Sequence, residues 1–189
     1  APGGSADVLA RLLQVPLAKA LGVPVVVENR AGAGGNIGSL AIAKAEPDGH
    51  TIGIGAVSTH AINPALFGER LQFRVPQDFT PIGQILFQPN VVIVHPSVPA
   101  NSVREFVAWL KANPGQAFGT AGVGSSNHLT GELVNLRFGV KMQHTPYKSG
   151  GLALGDLMAG HIKIVVDNIT TAALLDKARS YMKGLITIE

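Results

Sequence analysis

The stretch AGVGSSNHLTGELV, residues 121–134, decides how this chain is read. It follows an extended run from Ala117 to Ala121, passes through Gly122 and Gly124, and enters an apolar-periodic segment with Leu129, Leu133, Val134 and Leu136. That order predicts a strand, a tight turn and the start of a helix. Such a turn leaves backbone N–H groups unpaired at the positive end of the helix dipole, where an anion is the natural guest. Ser125, Ser126 and Asn127 place short hydroxyl and amide groups at the same point. No Glu or Gln follows any of them by three positions, so no capping box competes for those donors. Ser and Asn are equally ordinary helix caps, so the turn alone marks only a candidate anion site.

Working outward, the downstream pattern predicts a strand at 141–146, a helix at 151–160, a strand at 162–167, a helix at 170–179 and an extended run at 182–188. Upstream, a helix at 102–113 is well punctuated. Ser102 and Glu105 form a capping box, Val103, Phe106, Val107 and Leu110 share a face, and Pro114-Gly115 stops it. The first helix carries Val8, Leu9, Leu12, Leu13, Leu17 and Leu21, with Pro16 implying a kink or boundary and Gly22 a C-cap. PVVVEN (24–29) and TIGIGAV (51–57) read as strands, and RAGAGGNIG (30–38) is a second glycine-rich turn before a short helix ending near Ala45. Residues 61–81 read as irregular. The runs 82–88 and 91–95, parted only by Pro89-Asn90, read as one long crossing between two lobes. Strands alternating with helices argue an α/β architecture with parallel sheets. Ligands of such sheets lie beyond the carboxyl ends of the strands, which selects the loops 1–5, 31–38, 56–60 and 122–128, with Asp167-Asn168 as a fifth.

Composition removes several function classes. The 189 residues are 46% hydrophobic and 14% charged, a core-forming balance, with a formal charge of +3. Basic residues are scattered singly, which excludes a nucleic-acid footprint. No apolar run is long enough to span a bilayer, and there is no cysteine for a disulfide, a thiolate metal site or a thiol nucleophile. GAGGNIG (32–38) fails the dinucleotide spacing because Ile stands at position 37, and no Gly-Lys-Ser/Thr occurs. The six histidines are dispersed with no i, i+4 pair, so neither a metal nor a cofactor is implied. His60 and His128 stand out because both lie on cleft-edge loops. A Ser-dependent α/β hydrolase using Ser125 or Ser126 with His128 and Asp167 is the alternative from another class, although Gly-x-Ser-x-Gly is missing.

Taken together, APGGSADVLAR, PVVVENRAGAGGNIG, AEPDGHTIGIG, STHAINPALF, DFTPIGQ, NVVIVHPS, GSSNHLTGEL, HTPYKSGGLALGDLMAGHI and VVDNI occur in that order. They resemble the substrate-binding proteins of tripartite tricarboxylate transporters, also called Bug-type extracytoplasmic solute receptors. The resemblance runs to about Ile169. It implies a periplasmic protein of the type II binding-protein class, with lobe one at 1–88, lobe two at 91–182 and residues 183–189 a strand returning toward lobe one. It further implies a small carboxylate ligand and membrane transporter subunits as partners, with no catalysis. By position, the first-lobe contacts would be Ala1, Pro2, Gly3, Gly4 and Ser5 with Ala56, Val57 and Ser58. Lobe two would offer Gly124, Ser125, Ser126, Asn127, Tyr147 and Lys148, with Asp167 at the far wall. Family members also carry a strand before Ala-Pro-Gly-Gly and more chain after the returning strand, so lobe one is expected to lack its first strand.

Overall fold

In the computed structural model the described residues are 2–171 together with the strand at 183–187. The predicted helix 170–179 falls almost wholly outside them, as does Ala1. Five strands form one sheet: β1 (Asn90–Val94), β2 (Ala117–Thr120), β3 (Gln143–Pro146), β4 (Ile164–Asn168) and β5 (Lys183–Thr187), in the order β3-β2-β4-β1-β5. β2 runs parallel to β3 and β4, while β1 is antiparallel to β4 and β5. The sheet is therefore mixed, where the alternation predicted a parallel one. β1 arrives along an extended crossing instead of through a helical crossover, so nothing imposes the parallel direction on it.

Helices cover both faces. Alternate residues of β1 point to opposite sides, so Val92 and Val94 join Phe106, Leu110, Phe118, Val134, Ile164 and Val166 in one core. That core lies under α4 (Val103–Ala112) and α5 (Ser126–Phe138). Val91 and Ile93 join Ala153, Leu154, Leu157 and Val165 under α6 (Gly150–Met158) on the other side. Burial on both faces explains why β1 and β4 read as continuous apolar runs. The α4 cap forms with one change. Ser102 Oγ accepts the Glu105 N–H at 3.2 Å, but the Glu105 carboxylate takes the Asn101 N–H at 2.6 Å, one residue earlier than a capping box requires.

The N-terminal part holds α1 (Ser5–Leu21), α2 (Asn36–Ala43) and α3 (Asn63–Phe67). α1 is helical through Pro16 and ends at Gly22 in the left-handed conformation. The segment expected to be irregular contains a π-helical turn at Ser58–Ile62 running into α3. The predicted strands 24–29, 51–57 and 82–88 are not in any ladder among the described residues. Their residues favour extended backbone, but a strand needs a hydrogen-bonded neighbour, and Val26, Ile82 and Phe87 remain exposed. The segments entering β1 and leaving β4 are tied together instead: the Ile169 N–H donates to Pro89 O at 3.1 Å and Thr170 Oγ1 to Gln88 Oε1 at 2.7 Å.

Candidate functional site

The carboxyl ends of β2, β3 and β4 share one edge, where Thr120 opposes Pro146 and β4 ends in Asp167-Asn168. α5 and α6 both start at that edge. Ser125 caps α5 by accepting the His128 N–H at 3.1 Å, and its hydroxyl donates to Gly122 O at 2.7 Å. Ser149 caps α6 through Leu152 N–H at 3.4 Å. The amides of Ser126, Asn127, Gly150 and Gly151 have no acceptor among the described residues.

Asp167 lies between these two helix starts. Its Oδ1 accepts from Asn127 Nδ2 at 3.3 Å and Asn168 N–H at 2.7 Å, while Oδ2 is buried without a partner among the described residues. A side chain on Gly150 would overlap the carboxylate, so the α6 start closes directly over it. Burial raises the Asp167 carboxyl to about 6, against the lowering effect of the Asn168 and Asn127 bonds. A third helix start joins through the next residue: Asn168 Nδ2 donates to Ser5 Oγ, at the head of α1, at 3.2 Å. The α1 entrance is fixed by Asp7, whose carboxylate accepts from Asn29 Nδ2, the Gly3 N–H and Arg11 Nε. The Asn29 bond, foremost, holds Asp7 down at about 2.

The glycine-rich turns also meet. An added Cβ on Gly34 would stand 2.6 Å from Val123 O, and one on Gly124 would stand 2.5 Å from Asn63 Oδ1. Only residues without a side chain allow this approach of the 31–38 and 58–67 segments to the 122–124 turn. Asn63 is fully buried, donates to Asn36 Oδ1 at 2.6 Å, and its own Oδ1 has no partner among the described residues.

Of the residues singled out in the sequence, Ser5, Ser126, Asn127 and Asp167 thus come together, with Gly3 and Gly4 beside them. Ser125 has both hydrogen-bonding roles of its hydroxyl used by the cap. Pro2 is exposed at the α1 entrance. Ala56 and Val57 are exposed, Ser58 is half-buried, and Ala56 is closed on itself through Thr59 Oγ1. Tyr147 turns its hydroxyl to Asp156 Oδ2 at 2.7 Å, and burial with that bond pushes it up to about 12. Lys148 is exposed and forms no ion pair among the described residues. As for the hydrolase alternative, neither serine hydroxyl meets a histidine ring or carboxylate among the described residues. The sequence reading placed Asn168 at the cleft edge without a role and missed Asn90; the two oppose each other in the β1–β4 register, and Asn90 extends the polar network to Thr130 Oγ1 at 2.8 Å. The polar break at the end of each apolar strand was the available signal. Two surface hollows, of about 360 and 210 Å³, lie around Phe73 and Leu71 and touch none of these residues.

Residues 9–183 match the tripartite tricarboxylate transporter family receptor. Protein BugT of Bordetella pertussis is 38% identical over 180 residues, which are 95% of this chain and 55% of BugT. A Rhodopseudomonas palustris structure with adipate superposes with a TM-score of 0.91 at 32% identity, covering 100% of this chain and 62% of the other. A second from the same organism, with bound malate, gives 0.88 at 30%, covering 98% and 63%. The chain spans about half the length of the curated relatives it matches. Among the described residues no helix is long and apolar enough to cross a membrane.

Proposed function

The chain belongs to the tripartite tricarboxylate transporter receptor family, and from that premise we propose that it captures a small carboxylate outside the cytoplasm and presents it to membrane transporter subunits. One observation carries the reading. The starts of α5, α6 and α1 converge on the single dipeptide Asp167-Asn168, and the first amides of α5 and α6 have no acceptor among the described residues. Helix starts offer fixed N–H donors and partial positive charge, so a ligand carboxylate exchanges water for donors that need no reorganisation. Two groups of helix starts, from a lobe at 1–88 and a lobe at 91–182, suit a molecule with an acidic group at each end. Closure of the lobes about the 88–90 and 168–170 crossings would exclude water and strengthen those bonds. Relatives solved with adipate and malate support this ligand class. Within it, Ser126, Asn127, Gly3, Gly4 and Ser5 act through backbone or short polar groups, and Asp167 sets the charge of the wall. Pro2, Ala56, Val57, Ser58, Gly124, Tyr147 and Lys148 shape the rim, and Ser125 holds the turn.

A thermal-shift screen against mono-, di- and tricarboxylates and acidic amino acids tests the reading, because a native-state ligand raises the unfolding midpoint with its concentration. A clear responder whose effect disappears in Asn127→Ala is the expected result. A cooperative, folded sample that responds to no carboxylate would count against it.

A further inference from the structure

The wall of the site holds an acid of its own. Asp167, the penultimate residue of β4, is 2% exposed and lies between the starts of α5 and α6. Both of its acceptor bonds, from Asn127 Nδ2 at 3.3 Å and the Asn168 N–H at 2.7 Å, fall on Oδ1. Oδ2 is shut under Gly150 and has no partner among the described residues. The side chain of Asn127 is held toward Asp167 by a directed chain of bonds. Its Nδ2 also donates to Asn90 Oδ1 at 3.5 Å, Asn90 Nδ2 donates to Thr130 Oγ1 at 2.8 Å, and Thr130 Oγ1 donates to Ser126 O at 2.9 Å. What remains for an anion is the Asn127 backbone amide with those of Ser126, Gly150 and Gly151. A charge seated on those amides stands beside Asp167, because Asn127 and Gly150 touch both.

Nothing nearby neutralises a second negative charge. The charged and titratable groups on the elements packed around Asp167 are His128 and Glu132 on α5, Asp156 on α6 with Lys148 ahead of it, and Asp7 on α1. β1 and β2 contribute none. His128 lies against the His144 ring, 3.8 Å between centroids, and 3.8 Å from Glu132 Oε1. Asp156 takes the Tyr147 hydroxyl, Asp7 takes Asn29, Gly3 and Arg11, and Lys148 is exposed. None of them bonds to Asp167 among the described residues. Two carboxylates sharing one enclosed site titrate as a pair, and one of them is driven to its neutral form. A neutral carboxyl also loses far less than a charge when it is kept from water.

We propose that the site binds its carboxylate together with one proton, taken from solvent onto Asp167, so that the occupied cleft holds one carboxylate charge beside the helix starts instead of two. The empty site is already poised for this, since burial raises the Asp167 carboxyl to about 6 against the lowering effect of the Asn168 and Asn127 bonds. An arriving anion raises it further. Affinity is therefore greatest and constant below about 6, and falls as pH rises toward the higher value of the occupied site.

This coupling rests on reading the free amides of α5 and α6 as carboxylate donors, and the two can be separated. In the ligand-free protein the Asp167 carboxyl carbon, followed by NMR, should titrate near 6; a midpoint at the ordinary aspartate value overturns the proposal. Titration calorimetry with succinate, glutarate and benzoate at pH 7, in two buffers of different ionisation enthalpy, counts the protons taken up. These acids are ionised at that pH, so the protons come from the buffer and reach the protein. A bound acid should bring about half a proton or more, and its affinity should fall about fivefold between pH 6.5 and 8. Asp167→Asn should bind the same acid without uptake and with an affinity that stays level over that range. Binding without proton uptake, or an Asp167→Asn variant that keeps the parent's uptake, rejects the proposal and leaves the carboxylate reading standing. If Asp167→Asn fails to fold, the parent's carbon titration and proton count still decide. A folded protein that binds none of the three acids rejects the carboxylate reading and this proposal with it.

Discussion

Replacing Asp167 with Asn should change how stability depends on pH more than it changes stability itself. Burial takes the carboxyl from 3.8 to about 6 in the folded chain. Between those values the native state binds more proton than the unfolded chain. The neutral carboxyl's advantage is therefore complete below 3.8 and is lost as pH rises through about 6. Two pKa units at 1.36 kcal/mol each make this roughly 3 kcal/mol. An asparagine keeps the acceptor for Asn127 and Asn168 but puts an NH2 where Oδ2 has no partner. That costs about 1–3 kcal/mol at every pH, so it cancels from the pH difference. Urea unfolding of parent and Asp167→Asn at pH 4, 5, 6 and 7.5 measures the gap. The variant should gain about 3 kcal/mol on the parent across the range, ending equal to or above it at pH 7.5. A gap that changes by less than about 1 kcal/mol would refute the placement of a charged, partnerless oxygen between the two helix starts.

Ser125→Ala removes the α5 cap and should cost about 1 kcal/mol in chemical denaturation, while a fluorophosphonate probe leaves Ser125 and Ser126 of the parent unlabelled; stoichiometric labelling of either would favour the hydrolase alternative. Asp7→Asn should destabilise by about 1 kcal/mol at pH 7. The native carboxyl is held at about 2, so its contribution is present above 3.8 and lost as pH falls toward 2; the two unfolding curves should converge there. Leu157→Ala, at a fully buried position between α6 and the sheet, should cost about 2–5 kcal/mol and lower the urea midpoint with an unchanged slope.

Much of the carboxyl-edge architecture was legible in the sequence because local signals there agree with one another. The turn at 122–125 joins a buried strand to a capped helix, and each boundary is marked by a glycine, a serine or a change of hydrophobic period. The strands at 24–29 and 51–57 were misread for the opposite reason. Val and Ile set an extended backbone, but pairing depends on a neighbour that their own residues cannot specify. The direction of β1 was hidden similarly, since a strand's pattern is the same whichever way it runs. At the site, Asn127 and Asp167 stood out by position, yet nothing in the chain showed that Ser125 and Tyr147 are occupied by internal partners.

The sequence by itself determined where α1, α4, α5 and α6 begin, where β2 and β4 run between them, and that the turns after those strands collect at one edge. Those properties follow from side-chain period and from caps that act over three or four residues. Only the tertiary structure decided that Asp167 is enclosed by two helix starts and that His144 stacks on His128. The partners in each case lie 16 or more positions apart, and the distances that fix charge and hydrogen bonding exist only once the core has packed.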